Sequence, residues 1–530
     1  MTGIYFWAKI GFRKDNSGRA PGQFLPCRFD QMCSIRFFPT FVSSITLLLL
    51  PLVSAVAQNQ PRHATLDLKI GQRMTIPVKN APDATVELLK FSETRDPLRQ
   101  GVRQTIATLK INGQTHQITA GPYSLPVAVG DYRVDIPVSS GYNSNSTEDH
   151  WKLAAGADLR LRIWPAQGPL SPEHFIYPVR QRWFASGTQM ANEPTFVDGG
   201  EDPSRSKIYY HSGLDIGGPE GLAEVVAATN GTIVSLGNAI MPDLEADHPV
   251  AKRYDVIYLR DERGWYYRYS HLQQFSPSLK LGQQIAKGTS LGVLGKEGGS
   301  GGWAHLHFEI KARQPSGKFG TEEGYAFLWE ASLIRPNTNI IAVARPHRLV
   351  RVGDSIELDA SKSWSLSGGP LKFLWQLGDG RTADSPKVAV KYNKPGHYSE
   401  VVKVTDQLGH VAYDFAVTQV LDPARPGELP PTIQAAYWPS IGIKTSTPVT
   451  FLTRTFRTTD GAERWDFGDG TPPVEVKSDG NQKSLAVDGF AATVHRFARP
   501  GHYIVKVSRT NTRGESATAH LHVHVEEPLK

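Results

Sequence analysis

Trp303-Ala304-His305-Leu306-His307-Phe308-Glu309-Ile310 is the stretch on which the reading of this chain turns. From His305 onward polar and apolar residues alternate, which predicts a β-strand whose period of two directs both imidazoles to one face. Two other histidine segments lie upstream. His211-Ser212-Gly213-Leu214-Asp215 sets an imidazole and a carboxylate four apart. On a helix that spacing would stack them on one face, but Gly213, Gly217, Gly218 and Pro219 point to a strand end or loop. His271 follows the aromatic run Trp265-Tyr266-Tyr267, in Tyr269-Ser270-His271-Leu272. Around these, Val225–Ala228 and Thr232–Ser235 flank Asn230-Gly231, and Asn-Gly between apolar runs predicts a hairpin. A second turn-rich pair runs from Ile285 to Leu294 around Lys287-Gly288. Residues 170–337 are therefore expected to form antiparallel sheet.

The residue types suit metal-assisted hydrolysis. A hydrolytic zinc site takes about three protein ligands from neutral imidazole and carboxylate and leaves a fourth position for water. His211, Asp215 and one histidine of the 305/307 pair would supply that set. The remaining imidazoles would serve proton transfer and stabilise a developing oxyanion. His116, His150, His248, His397 and His502 are expected at the surface or in turns.

In combination, His-x-x-x-Asp, Tyr-x-His-Leu and Gly-Gly-Ser-Gly-Gly-Trp-Ala-His-Leu-His-Phe-Glu resemble the signature of the lysostaphin/LytM-type zinc metallopeptidases, over 170–337. The resemblance implies one catalytic zinc held by His211, Asp215 and His307, with His271 and His305 as catalytic histidines. It also implies a substrate among the peptide bridges of bacterial peptidoglycan. Gly221 to Gly231 and Gly282 to Gly288 fit the same pattern. Two departures stand out: Trp303-Ala304 replaces the commoner Gly-Pro, and Asn238–Tyr254 is longer than the usual connection.

Beyond Ile340 the chain repeats itself. Trp375-Gln376-Leu377-Gly378-Asp379-Gly380 returns as Trp465-Asp466-Phe467-Gly468-Asp469-Gly470, and Pro395-Gly396-His397-Tyr398 returns as Pro500-Gly501-His502-Tyr503. A loop insertion at about 477–488 lengthens the second copy. A Trp before a tight turn, then a Pro-Gly turn into a Tyr-bearing strand, suits a two-sheet sandwich with an aromatic core. The two copies, 343–422 and 430–526, resemble PKD domains, which are immunoglobulin-like β-sandwiches. That implies a spacer, or a module binding a polysaccharide or protein surface. Asp379 and Asp469 are read as turn formers rather than calcium ligands.

Residues 62–168 alternate in short runs such as Tyr132-Arg133-Val134-Asp135-Ile136, parted by turns such as Asn112-Gly113, and predict a small β domain without evident chemistry. Its polar stretch Ser139–Ser146 is expected to be an exposed loop. The chain as a whole is thus expected to be mainly β.

Residues 1–57 read as a signal peptide. The apolar run 37–53 follows Arg36 and precedes Ala55-Val56-Ala57, a cleavage pattern, and falls short of the ~20 apolar residues of a membrane span. The basic region before it is long, and Met32 would open a more typical signal. Both cysteines, Cys27 and Cys33, precede the cleavage point, so the mature chain would hold no disulfide, thiol nucleophile or cysteine-bound metal. An exported protein, periplasmic or extracellular, is expected.

Of the 530 residues, 40% are hydrophobic and 21% charged, ordinary for a globular protein. The net charge of +7 falls to +3 without residues 1–57, and with no basic run there is no electrostatic case for nucleic-acid binding. The leading expectation is an exported zinc endopeptidase acting on peptidoglycan cross-links or stem peptides. An inactive envelope scaffold that activates other wall hydrolases, an adhesin-like binding protein, or a protease of extracellular Gly-rich proteins are the alternatives.

Overall fold

The computed structural model describes residues 61–188, 190–191, 207–334 and 338–527; the residues read as a signal peptide, with both cysteines, lie outside them. The described residues are mainly β, with two short helices. No helix among them is long and apolar enough to cross a membrane.

Residues 64–165 form two four-stranded sheets. One runs Ala64–Leu68, Leu159–Pro165, Tyr132–Ser139, Val127–Val129, and the other Arg73–Ile76, Ala84–Arg95, Val102–Ile111, Gln114–Ala120. Alternating apolar residues from both sheets, among them Leu68, Leu88, Leu109 and Leu161, form one core. The stretch Ser139–Ser146 departs from the expected loop. It turns into a short helix, Gly141–Asn145, because Tyr142 finds an apolar wall in Trp151 and Tyr210 and is buried there.

The histidine-bearing region is antiparallel, as the turn chemistry predicts, but the two expected hairpins do not form. An eight-stranded sheet carries His305–Arg313 between Tyr266–Ser270 on one side and Leu214–Gly217 with Phe319–Glu322 on the other. A separate three-stranded sheet holds Glu224–Val226, Ser290–Leu294 and Leu272–Phe275. The two runs flanking Asn230-Gly231 therefore belong to different sheets. The physical reason is local: a Cβ at Gly231 would lie 2.8 Å from the Arg260 carbonyl oxygen, so this glycine permits close strand approach instead of a tight turn. Asn230 is occupied in accepting from the Lys287 backbone N–H at 2.8 Å. Lys287-Gly288 likewise joins a strand of the large sheet to one of the small sheet.

In the C-terminal half, Gly396–Thr405 pairs with Val411–Leu421 and Gly501–Thr510 with Ser516–Val525. Gly396 and His397 also run alongside Ser516 and Ala517, so the two sandwiches share a continuous nine-stranded sheet. Trp375 and Trp465 are fully buried in the two cores. Asp379 accepts from the Arg381 backbone N–H and Asp469 from that of Thr471, as turn residues do. His397 is a correction: it is buried at the sheet junction, its Nδ1 3.2 Å from the Thr518 carbonyl.

Candidate metal centre

The central strand His305–Arg313 sends Leu306, Phe308, Ile310 and Ala312 into the core of the large sheet and turns His305, His307 and Glu309 the other way. Backbone pairing sets His307 opposite Asp215 on the neighbouring strand. His211 precedes that strand. His271 sits at the crossing between the two sheets, after Tyr266–Ser270 and before Leu272–Phe275, with a left-handed φ of 68°. A non-glycine residue there stores strain, as is common at functional sites.

The atoms converge tightly. His211 Nε2 is 2.8 Å from His307 Nδ1 and 3.1 Å from Asp215 Oδ1. His307 Nδ1 lies 3.0 Å from the same oxygen, and His305 Nε2 3.4 Å from it. These three residues, His211, Asp215 and His307, could hold a metal ion. The His271 ring lies 4.7 Å from that of His305 and 6.0 Å from that of His307.

Burial and charge set the protonation states. Burial lowers the His307 pKa to about 3 and that of His305 to about 4. Both rings are thereby held neutral at physiological pH. Burial alone would raise Asp215, but the imidazoles of His211 and His305 outweigh it and hold the carboxyl well below its usual range. For His211 burial acts downward, and Asp215 more than offsets it, so its pKa is raised. Next along the strand, Glu309 would be raised by burial, yet Lys311 and Arg268 bring it down to about 2.

Two carbonyls orient the outer histidines. His305 Nδ1 is 3.0 Å from the Trp303 carbonyl and His271 Nδ1 is 2.6 Å from that of Glu297. In the neutral ring each Nδ1 then carries the proton, leaving Nε2 as the acceptor. Asp255, fully buried, accepts from the His271 backbone N–H at 2.9 Å and lies 3.3 Å from its Nδ1.

Residues 209–318 match the family described as Peptidase family M23. The chain carries an M23 peptidase domain. Two PKD domains follow it, matched over 337–420 and 434–525. Among solved structures, the catalytic domain of the antimicrobial peptidase lysostaphin from Staphylococcus simulans is 23% identical with a TM-score of 0.19, the match covering 27% of this chain and 91% of that one. Whole lysostaphin is 17% identical with a TM-score of 0.21, covering 46% of this chain and 91% of that one. A curated microbial collagenase from Vibrio alginolyticus is 32% identical over 87 residues, 16% of this chain. The chain spans a tenth of the length of that curated relative.

The M23 domain does not build its cavity alone. The histidines open into a cavity of about 780 Å³ whose lining includes Glu148 and His150 from the N-terminal domain and Phe456, Arg457 and Asn481 from the second PKD domain. His150, expected at the surface, is half-buried there, its Nε2 3.2 Å from Glu148. The second PKD domain grips the rim at the two residues that depart from the family pattern. Trp303 stacks on Phe456, and Ala304 exchanges backbone hydrogen bonds with the Gln434 side chain at 2.8 and 2.7 Å. The inserted loop adds Asn481, which donates to the Gly301 carbonyl at 2.9 Å. Arg454 donates to the Gly302 carbonyl at 3.1 Å. Sequence reading missed these contributors because they arrive from distant segments; only the Trp303-Ala304 departure marked the place.

Proposed function

We propose that the chain is an exported zinc-dependent endopeptidase that hydrolyses peptide bonds in the cross-links or stem peptides of peptidoglycan. The observation that carries this reading is the convergence of His211 Nε2, Asp215 Oδ1 and His307 Nδ1 with two further imidazoles beside them. Two imidazoles held close to a carboxylate form a donor set suited to hydrolytic zinc. Neighbouring ligands of a tetrahedral ion with bonds of ~2.1 Å stand roughly 3.4 Å apart, so these residues fit after moving by a few tenths of an ångström. When bound, zinc supplies a Lewis acid that polarises a peptide carbonyl and acidifies water.

The remaining chemistry belongs to the chain's own side chains. Asp215 stays ionised and balances the positive charge brought into a buried place. His271 and His305, each with Nδ1–H committed to a carbonyl, offer Nε2 to take a proton from the attacking water. The same pair returns a proton to the leaving amine and hydrogen-bonds the tetrahedral oxyanion. Asp255 positions His271 through its backbone N–H and ring. The M23 domain and the apolar leader at 37–53 support export toward a wall substrate.

The test is solubilisation of purified sacculi by the protein, with and without a chelator, beside His307→Ala, with zinc measured on both proteins. About one zinc per chain, together with release of new amino groups that chelation and the variant abolish, is the expected result. Zinc-free protein with no release from any wall preparation overturns it in favour of a scaffold.

A further inference from the structure

A second group of histidines lies beside the first, where three parts of the chain meet. A small chamber of about 20 Å³ is lined by His347 and His397 of the first PKD domain, His520 and Gln434 of the second, and Thr188 and Trp303 from the M23 side. Thr188 and Trp303 also line the cavity of the metal centre, so the two spaces share a wall. His347 is wholly buried, and neither of its ring nitrogens has a hydrogen-bond partner among the described residues. His397 and His520 reach across the seam between the PKD domains. His397 Nδ1 is 3.2 Å from the Thr518 carbonyl, and His520 Nδ1 is 3.0 Å from Ser399 Oγ. Arg345 ties the chamber shut by donating to the carbonyls of Thr188 and Ser186 at 2.6 and 3.1 Å. The Gln434 amide does the same by donating to Ala304 and Thr188 at 2.7 and 3.3 Å.

The surroundings of these rings oppose a proton. Arg345 and Arg103 face His347, Arg457 faces His397 and Lys506 faces His520. Of the carboxylates, Asp414 pairs with Arg345 at 3.3 Å and Asp96 with Arg103 at 3.8 Å. Burial, reinforced by the cations, lowers the pKa values of His397 and His520 to about 4 and holds His347 well below its usual range. All three imidazoles are therefore neutral while the domains are docked. In water each titrates near ~6.5. Above that pH neither arrangement takes the proton, and docking keeps its full strength. At pH 5 the difference favours the undocked arrangement about thirtyfold for each ring, and on the order of 10⁴-fold for the three together.

We propose that this chamber is an acid-sensitive catch, in which proton uptake by His347, His397 and His520 releases the second PKD domain from the M23 rim and lifts Phe456 off Trp303. The cavity of the metal centre then loses the wall built by Phe456, Arg457 and Asn481. The Trp303 carbonyl, which holds His305 Nδ1, loses the ring that steadies it. The release itself needs no catalysis, and its effect on turnover rests on the peptidase reading above. The groove is thus complete at neutral pH and incomplete in acid.

The test follows docking by energy transfer between dyes on Lys280→Cys in the M23 domain and Val487→Cys in the second PKD domain, both exposed positions. The full chain is used, with Cys27 and Cys33 replaced by Ser. Transfer should fall reversibly between about pH 7 and pH 4.5 while far-ultraviolet dichroism stays constant. Each of His347→Gln, His397→Gln and His520→Gln should lower the pH slope of the release constant by about one proton. His410→Gln, a control whose ring pairs with Asp406, should leave the slope as it is. The triple Gln variant should keep its transfer throughout, and if it fails to fold the single variants decide. Constant transfer down to pH 4.5, a slope that the single variants leave unaltered or that the control alters equally, a triple variant that still releases, or transfer lost only together with dichroism overturns the proposal. The readout needs no zinc and no turnover, so intact acid release alongside failure to digest sacculi counts against the peptidase reading alone.

Discussion

Trp303 and Phe456 lie ring on ring, centroids 4.1 Å apart and planes 7° apart, and the carbonyl of the same Trp303 accepts from Nδ1 of His305. One contact thus joins the docking of a PKD domain to the orientation of an imidazole in the M23 site. Phe456→Ala and Trp303→Ala should each lower kcat/KM about fivefold, since an aromatic pair contributes about 1 kcal/mol beyond its buried area. Zinc content should be unchanged, and the double variant should be no worse than either single one. Losses that multiply in the double variant would show that the residues act separately.

Asp215→Asn removes the carboxylate shared by three imidazoles. Substituting groups that merely support a ligand already costs about 10–100-fold in metal affinity, so replacing this one should exceed that range. Competition with a chromophoric zinc chelator reads the change. Wild-type affinity in the variant would remove Asp215 from the ligand set.

Asp255→Asn leaves the proposed ligands in place and loosens His271. A loss of about 10–100-fold in kcat with zinc still bound is expected. A drop confined to KM would mean that Asp255 acts on substrate instead.

Gly302 has φ 93°, and a Cβ there would collide with Asn481 Oδ1. Gly302→Ala therefore meets both a left-handed backbone, costing about 1–2 kcal/mol, and the inserted loop. Release of that loop should speed trypsin cleavage at the exposed Lys483 by at least about fivefold, the population change that 1 kcal/mol brings. Unchanged cleavage would mean that the loop does not depend on this contact.

Burial lowers the His397 pKa to about 4, against about 6.5 in an unfolded chain. Above 6.5 both states are neutral and the group has no effect. As pH falls from 6.5 toward 4 only the unfolded state takes the proton, so stability is lost across that window, on the order of 3 kcal/mol once pH is below 4. Between pH 7.5 and pH 5, wild type should therefore lose more melting temperature than His397→Gln. Equal losses would contradict the buried setting of this ring.

What could be read in the sequence was what local pattern controls. The alternation His305-Leu306-His307-Phe308 sets a strand with both imidazoles on one face, and the repeated Trp and Pro-Gly-His-Tyr turns mark the two sandwiches. The hairpin expected at Asn230-Gly231 failed because the same dipeptide serves another purpose when the Arg260 carbonyl lies against the glycine. His150 and Arg457 were illegible as cavity residues because nothing near them in the chain records that they meet the histidines. Trp303-Ala304 was visible as an oddity, and its meaning lay some 130 to 150 residues away, at Gln434 and Phe456.

The cavity wall built by Phe456, Arg457 and Asn481 also imposes an order in time. The residues proposed to hold the metal are all synthesised once the ribosome has passed His307, but Arg457 comes 150 residues later. At about 5–20 residues per second that is a delay of roughly 8–30 s. Throughout it the nascent polypeptide possesses its histidines without the surface that completes their groove, and maturation of the enzyme waits on its C-terminal half.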